Sequence, residues 1–418
     1  MKVKNSSSKK LIINQYSDRP EREVNSMLNN EQIQLVKSTV PLLEASGPAI
    51  TDYFYNRLFT HNPETKNIFN MSNQASGKQS FALFSAIAAY AKNLDNVEQL
   101  LTMVERIAQK HTSLNIQPAH YDLVGHHLIE TLRELVPEQF TKEIEDAWTA
   151  AYQALAAIFI NREGELYQQR EELVGGWKGG RQFTLVEKRI ESELVKSLVF
   201  EPVDGGSVID YLPGQYIGIE VQPKQSEFKE IRQYSLSDKA NGESYRISVK
   251  REIVGTPGIV SNYLHDGLRL GDEVTLYAPA GDFYLQDNSK PKVLISAGVG
   301  LTPMQAMLES LVVSSGADNY FLHACENVAQ HSFKKRQTDL AQQGKVSNHI
   351  WYKSESDESA LHGFMDISTI ADQLPLTEAD FYLCGPVGFM QFAKQQLVTL
   401  GVENDCIHYE VFGPHESF

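Results

Sequence analysis

His111 is where a chemical reading of this chain starts. Met103, Val104, Ile107 and Ala108 precede it by eight, seven, four and three residues, which puts its imidazole on the apolar stripe of a helix. A neutral imidazole ligates iron well, and one proximal histidine commonly holds haem. Taken alone, a histidine on an apolar face is more often a core residue, so its neighbours carry the argument. Glu163 ends a stripe running through Leu155 and Phe159, and a carboxylate there is costly without a partner. Tyr121 shares a face with Val124, Leu128 and Leu132. Together, Tyr121 and Glu163 could bind the outer nitrogen of a metal-bound histidine, fixing its tautomer and raising its basicity; for Tyr121 the alternative is plain packing. Tyr55, Phe69, Gln79 and Leu83 are candidates for the opposite face of such a pocket. Gln79 and Leu83 lie four apart, so one helix face can present both; Phe69 and Leu83 are otherwise core residues.

A second chemistry follows. The run Arg232-Gln233-Tyr234-Ser235 resembles the signature of flavin barrels of the ferredoxin-reductase kind. An arginine fork matches a pyrophosphate, the tyrosine can stack on a flavin ring, and the serine hydroxyl can bond its edge. Pro213-Gly214-Gln215-Tyr216 lies upstream and Gly258-Ile259-Val260-Ser261-Asn262 downstream. By this resemblance Tyr216 also touches the flavin, and the turn at Gly258, Val260 and Ser261 offers backbone N–H groups to phosphate. Further on, Val293 to Ala297 reads as a buried parallel strand and Gly298-Val299-Gly300 as a tight turn. After Leu301, Thr302 is expected as N-cap and Pro303 at the first helical position, so a helix N-terminus faces a phosphate. The pattern is Gly-x-Gly-x-x-Pro, not the three-glycine dinucleotide fingerprint, which disfavours a conventional dehydrogenase. A second strand-to-turn carries Cys384-Gly385-Pro386. Cys384 either borders a hydride-transfer locus or is a small buried residue closing the strand.

The elements that must position these residues change texture along the chain. Asn29 to about Glu165 reads as helix, with scarce glycine and apolar residues at helical spacing. Gly175-Gly176-Trp177-Lys178-Gly179-Gly180 breaks it. Short strand-like runs follow, such as Tyr245 to Lys250, separated by turn signals; strands then alternate with helices from Lys292. The predicted organisation is a tail over 1–26, an all-α domain over 27–165, a linker over 166–178, an antiparallel β-barrel over 179–289 and an α/β parallel-sheet domain over 290–418. The 418 residues fit roughly three domains, and 42% hydrophobic with 22% charged residues is ordinary for globular chains. A net charge of -15 argues against general nucleic-acid binding. Cys325, Cys384 and Cys406 are the three cysteines; they form no disulfide framework or metal spacing, which suits a reducing cytoplasm. No apolar run approaches the ~20 residues a bilayer needs. The Lys- and Ser-rich first 26 residues lack the apolar core of a signal peptide, and Met27 offers an alternative start.

From Met27 to Phe418 the chain resembles the flavohemoglobins, a globin joined to a ferredoxin-reductase-like module. Tyr53 to Phe59, His61-Asn62-Pro63-Glu64, Ile68 to Met71 and Gln109-Lys110-His111-Thr112-Ser113 look like parts of a bacterial globin. The resemblance implies that His111 ligates haem b iron, that Glu163 and Tyr121 support it, and that Tyr55 and Gln79 line the ligand side. Phe381 to Met390 is similar to the family's nicotinamide-side segment. Glu410-Val411-Phe412-Gly413-Pro414 resembles the segment that covers the flavin, with Phe412 as the aromatic cover. Val411 stands where the family often has cysteine, so no thiol role is carried over. Lys110 and Glu410 are implied to tune the two redox potentials, the alternative being surface solvation. The implied activity is nitric oxide dioxygenase: electrons pass from NADH or NADPH through FAD to haem, and nitric oxide and O2 become nitrate. Rival readings are a flavin-linked ferric or quinone reductase and an oxygen-binding or sensing haemoprotein. Glu326 would suit the ribose of NADH, whereas Lys334-Lys335-Arg336 could meet a 2′-phosphate. A monomer serving small-molecule partners is expected.

Overall fold

The computed structural model describes residues 26–69, 78–313, 318–355, 358 and 360–413. Residues 1–25 of the expected tail, and Pro414, lie outside that set. By contacts the chain divides into two compact units: residues through Glu171 with Phe228–Ile231, and Glu172–Glu227 with Arg232–Phe418.

The first unit is helical. Asn29 opens it with a capping box, its side chain accepting from Gln32 N while Gln32 answers to the Asn29 N–H. Helices α1 (Asn30–Ser38), α2 (Val40–His61), α3 (Lys78–Lys92), α4 (Leu101–Ser113), α5 (Pro118–Leu135) and α6 (Lys142–Glu171) follow. They bury one apolar core that includes Phe54, Leu58, Tyr90, Val104, Leu128 and Trp148. Helix α5 can lie close on α6 because residue 125 is glycine: a Cβ there would sit 2.3 Å from the Tyr152 ring. Helix α6 runs 30 residues to Glu171, six past the expected domain end. The expected linker over 166–178 is therefore helical in its first half. Leu166 and Arg170 are buried, and that burial, which composition does not reveal, extends the helix.

After these helices, strands β1 (Gly180–Ile190), β2 (Val195–Pro202), β3 (Tyr216–Val221), β4 (Glu230–Ser235), β5 (Tyr245–Lys250) and β6 (Glu273–Ala280) form a sheet in the order β4-β3-β6-β1-β2-β5. A bridge from Leu236, just past β4, to Ile247 of β5 links its two edges, so the sheet curls into a barrel around Phe183, Leu198, Ile217 and Leu276. The second sheet contains β7 (Lys292–Ala297), β8 (Asn319–Cys325), β9 (Ser347–Tyr352), β10 (Leu361–His362), β11 (Asp380–Cys384) and β12 (Ile407–Glu410). Its order is β10-β9-β8-β7-β11-β12, and every pair is parallel. Side chains alternate between faces: Val293 and Ile295 enter one apolar cluster and Leu294 another. Helices α7 (Leu301–Leu311), α8 (Lys334–Gln342) and α9 (Val387–Thr399) complete this layer. No helix among the described residues is long and apolar enough to cross a membrane.

Candidate functional site

Helix α4 places His111 near its C-terminal end, where Nδ1 meets Glu163 Oε1 at 2.8 Å and the Tyr121 hydroxyl at 2.9 Å. The Tyr121 hydroxyl donates to the same Glu163 oxygen at 2.5 Å. An accepting carboxylate fixes the proton on Nδ1 and leaves the Nε2 lone pair available. Among the described residues Nε2 has no hydrogen-bond partner, and the imidazole is 31% exposed while the Glu163 side chain is 4% exposed. Burial, and secondarily the Glu163 carboxylate, push the Tyr121 phenol well up, so it stays protonated. Phe159 packs on both rings, with centroids 5.8 Å from His111 and 6.2 Å from Tyr121.

Tyr55 on α2 is buried and packs edge-on against Phe69 at 5.6 Å. Its hydroxyl bonds to no described residue, and burial raises its pKa. Leu83 on α3 and Phe69 are half-buried against the core. Gln79 lies one turn before Leu83 on α3, but its side chain is outside the described set. An available imidazole nitrogen, a free phenol and a rim of half-buried apolar side chains match what a haem requires: one axial donor and a lining without competing ligands. Lys110 is half-buried beside His111.

In the barrel, Arg232 and Tyr234 project from one face of β4, Gln233 and Ser235 from the other. Leu236 N–H donates to Gln215 O at 3.0 Å, which joins this run to the Pro213–Tyr216 turn. The Gln215 side chain in turn donates to Gly281 O at 3.1 Å. Burial raises the Tyr234 phenol. Gly258 precedes a single helical turn, Ile259–Asn262; the N–H groups of Ile259, Val260 and Ser261 there have no intrahelical acceptor. That donor set, with Arg232 and two tyrosines, fits an aromatic diphosphate such as FAD.

The segments that the sequence assigns to the nucleotide follow β7 and β11, which are neighbours in the parallel sheet, at the switch point where ligands of such sheets bind. Gly298 is left-handed with φ 53° and has open space around it. Gly300 is the opposite: a Cβ there would lie 2.2 Å from the Cys384 carbonyl oxygen and 2.6 Å from Gly385 N. The two loops meet backbone to backbone, and that contact requires glycine. The expected N-cap needs correction. Helix α7 begins at Leu301 after a short 3-10 turn, Gly298–Gly300, so Thr302 and Pro303 fall inside its first turn. The Thr302 hydroxyl bonds back to Val299 O at 3.0 Å rather than capping. Cys384 is buried, and burial followed by the Glu410 charge pushes its thiol far up. Glu410 ends β12, in register with Cys384. Val411 is buried, Phe412 is 47% exposed and Gly413 takes φ 142°. Glu326 lies just after β8, 3.3 Å from Lys353; Arg336 grips Glu309 through two bonds and Lys335 pairs with Asp339.

Family models match in three stretches: Globin over residues 52–159, Oxidoreductase FAD-binding domain over 182–284 and Oxidoreductase NAD-binding domain over 294–395. The chain is 56% identical to a flavohemoprotein of Vibrio cholerae serotype O1 over 392 residues, 93% of this chain and 99% of that protein. The chain belongs to the flavohemoglobin family. Its fold agrees with a flavohemoglobin from Malassezia yamatoensis solved with bound FAD and haem, with a TM-score of 0.80 at 27% identity over 92% of this chain and all of that one. The FAD/NAD-binding domain of a Vibrio cholerae nitric oxide dioxygenase matches 57% of this chain and all of its own length, with a TM-score of 0.54 at 52% identity. This flavohemoglobin thus joins an all-α globin to an antiparallel FAD-binding barrel and a parallel-sheet NAD-binding domain, the predicted fold class.

Sequence reading overlooked the basic side of the proximal helix pair. Arg170 follows Phe159, Glu163 and Leu166 at spacings of four, three and four. The argument that singled out Glu163, a charge on an apolar stripe, applies equally to Arg170.

Proposed function

We propose that this flavohemoglobin is an NADH- or NADPH-dependent nitric oxide dioxygenase. The net reaction turns two NO and two O2, with one NAD(P)H, into two nitrates, NAD(P)+ and one proton. One observation carries the reading: a histidine tied at Nδ1 to Glu163 and Tyr121 and unpartnered at Nε2, in a chain that also matches FAD- and NAD-binding domains. When bound, haem b supplies oxygen activation, and FAD converts hydride transfer into single-electron supply.

Each residue set has a part to play. His111 offers Nε2 to iron, and Glu163 with Tyr121 holds the Nδ1 proton, which raises the basicity of the ligand. The Tyr55 hydroxyl would donate to a ligand on the haem, beside Phe69 and Leu83, and the sequence assigns Gln79 to the same side. Arg232 neutralises the flavin pyrophosphate, helped by the N–H groups after Gly258; Tyr216, Tyr234 and Ser235 contact the ring system, and Phe412 covers it. The Gly298–Pro303 loop takes the nucleotide phosphates, and Cys384-Gly385-Pro386 borders the nicotinamide as a neutral thiol. Lys110 and Glu410 adjust the two potentials. The protein works as a cytoplasmic monomer on small molecules, without nucleic acid; the net charge of -15 supports the last point.

The test is nitric oxide decay on an electrode with purified protein, O2, FAD and NADH, followed by nitrate analysis. Stoichiometric nitrate that disappears in His111→Ala is the expected result. NADH oxidation that ignores nitric oxide and survives His111→Ala would overturn it in favour of a flavin reductase.

A further inference from the structure

Helix α6 holds more of the proximal side than Glu163 alone. Its Tyr152 hydroxyl donates to Tyr121 O at 2.7 Å, and its Tyr167 hydroxyl donates to Ile116 O at 2.9 Å, just past α4. Arg170, 8% exposed, donates to Thr112 Oγ1 at 2.5 Å and to Gln109 Oε1 at 2.6 Å. About two turns earlier, buried Arg162 donates twice to Glu105, at 2.6 and 3.1 Å, and Glu105 also accepts from Gln109 at 2.8 Å. Glu105, Gln109 and Thr112 stand at i, i+4 and i+7, along one face of α4. His111 therefore lies between the gripped residues 109 and 112, and a second anchor follows at 116. Between Thr112 and Ile116 helix α4 ends in a left-handed cap: Asn115 has φ 57°, and Ile116 N–H donates back to His111 O at 3.1 Å.

We propose that Arg170 and Tyr167 are positioning residues for His111. They clamp the last turn of α4 and the cap after it onto α6, so that Nδ1 keeps its bond to Glu163. A buried arginine is costly unless well hydrogen-bonded, and the Arg170 bonds to Gln109 and Thr112 go to the turn that carries the histidine. Without the clamp, the end of α4 relaxes, the Nδ1–Glu163 bond lengthens, and Nε2 becomes a weaker donor. The inference rests on His111 being the iron ligand.

The experiment is resonance Raman spectroscopy of the iron–histidine stretch in the ferrous, haem-loaded full chain, with redox titration of the same samples. Glu163→Gln is the reference; it lowers the frequency and raises the haem potential. Arg170→Met should shift both in the same direction by a smaller amount, and Arg170→Met with Glu163→Gln should shift no further than Glu163→Gln alone. Tyr167→Phe and Thr112→Val, which remove single hydroxyls, should give fractions of the Arg170→Met shift, and they carry the test if Arg170→Met loses haem. An unmoved band in the folded Arg170, Tyr167 and Thr112 variants, or a shift that adds fully to that of Glu163→Gln, overturns the clamp. If Glu163→Gln itself leaves the band unmoved, the reading of His111 as ligand fails instead.

Discussion

At the scale of single residues, the proximal trio makes the sharpest predictions. Partners that orient a metal-bound histidine typically contribute 10- to 100-fold in affinity or activity, so Glu163→Gln should lower nitric oxide turnover by about that much. Tyr121→Phe keeps the ring that packs on Phe159 and loses one hydroxyl. It should cost less, and roughly 1 kcal/mol of stability by the usual worth of one hydrogen bond; stopped-flow nitric oxide consumption and thermal unfolding measure the two effects. Gly300→Ala acts at the other end of the electron path. Its new methyl would meet the Cys384 carbonyl at 2.2 Å, and backbone cannot swing aside as a side chain does. The KM for NADH should rise at least about tenfold, near 1.4 kcal/mol of binding, while flavin content stays unchanged. An unaltered KM would show that the two loops do not jointly form the nucleotide site.

Among the elements, the face of the parallel sheet toward α7 and α8 carries a buried polar layer that pH should probe. His323 of β8 is fully buried, with Nδ1 2.9 Å from Ser296 Oγ. His331 sits 5.1 Å away, ring to ring, bonded to the Tyr352 hydroxyl at 2.8 Å and to Gln337 Oε1 at 2.7 Å. Burial holds both imidazoles neutral, with the His331 pKa lowered from 6.5 to about 4. The unfolded chain takes up protons near pH 6.5 and the folded one does not. Stability is therefore full above that pH and drains as pH falls toward 4, by roughly 3 kcal/mol for His331 at 1.36 kcal/mol per pKa unit. The melting temperature of the reductase part should drop across this window, and His331→Asn should flatten the drop. None of this layer was legible in the sequence, because a histidine in a strand carries no mark of its burial. The proximal trio was legible, because helical periodicity set charged and aromatic residues on apolar stripes. The same periodicity held Arg170, but arginine on a long helix reads as solvated until its partners are known. Thr302 misled for a local reason: Gly298–Gly300 already makes a 3-10 turn, which moves the helix start ahead of the expected cap.

Across the whole molecule, separate cores imply separable activities. The helical core draws on residues up to Leu166, and the barrel and sheet cores on later ones. His111→Ala should therefore abolish nitric oxide consumption yet leave NADH-driven reduction of ferricyanide or a quinone near the parent rate, because those acceptors draw on the flavin and His111 belongs to neither the barrel core nor the sheet cores. Gly300→Ala should depress both activities together. A loss of ferricyanide reduction in His111→Ala would mean that the helical core supports the fold of the reductase.

Helix α6 also has a consequence for the order in which the protein is made. The contacts that bracket His111 all come from residues between Glu105 and Arg170. Ribosomes add roughly 5–20 residues per second, and domains fold as they emerge. The haem-side architecture is thus specified while the segments for flavin and nucleotide have yet to be translated. A newborn chain could take up haem, and bind a diatomic gas, for on the order of ten seconds or more before its own source of electrons exists.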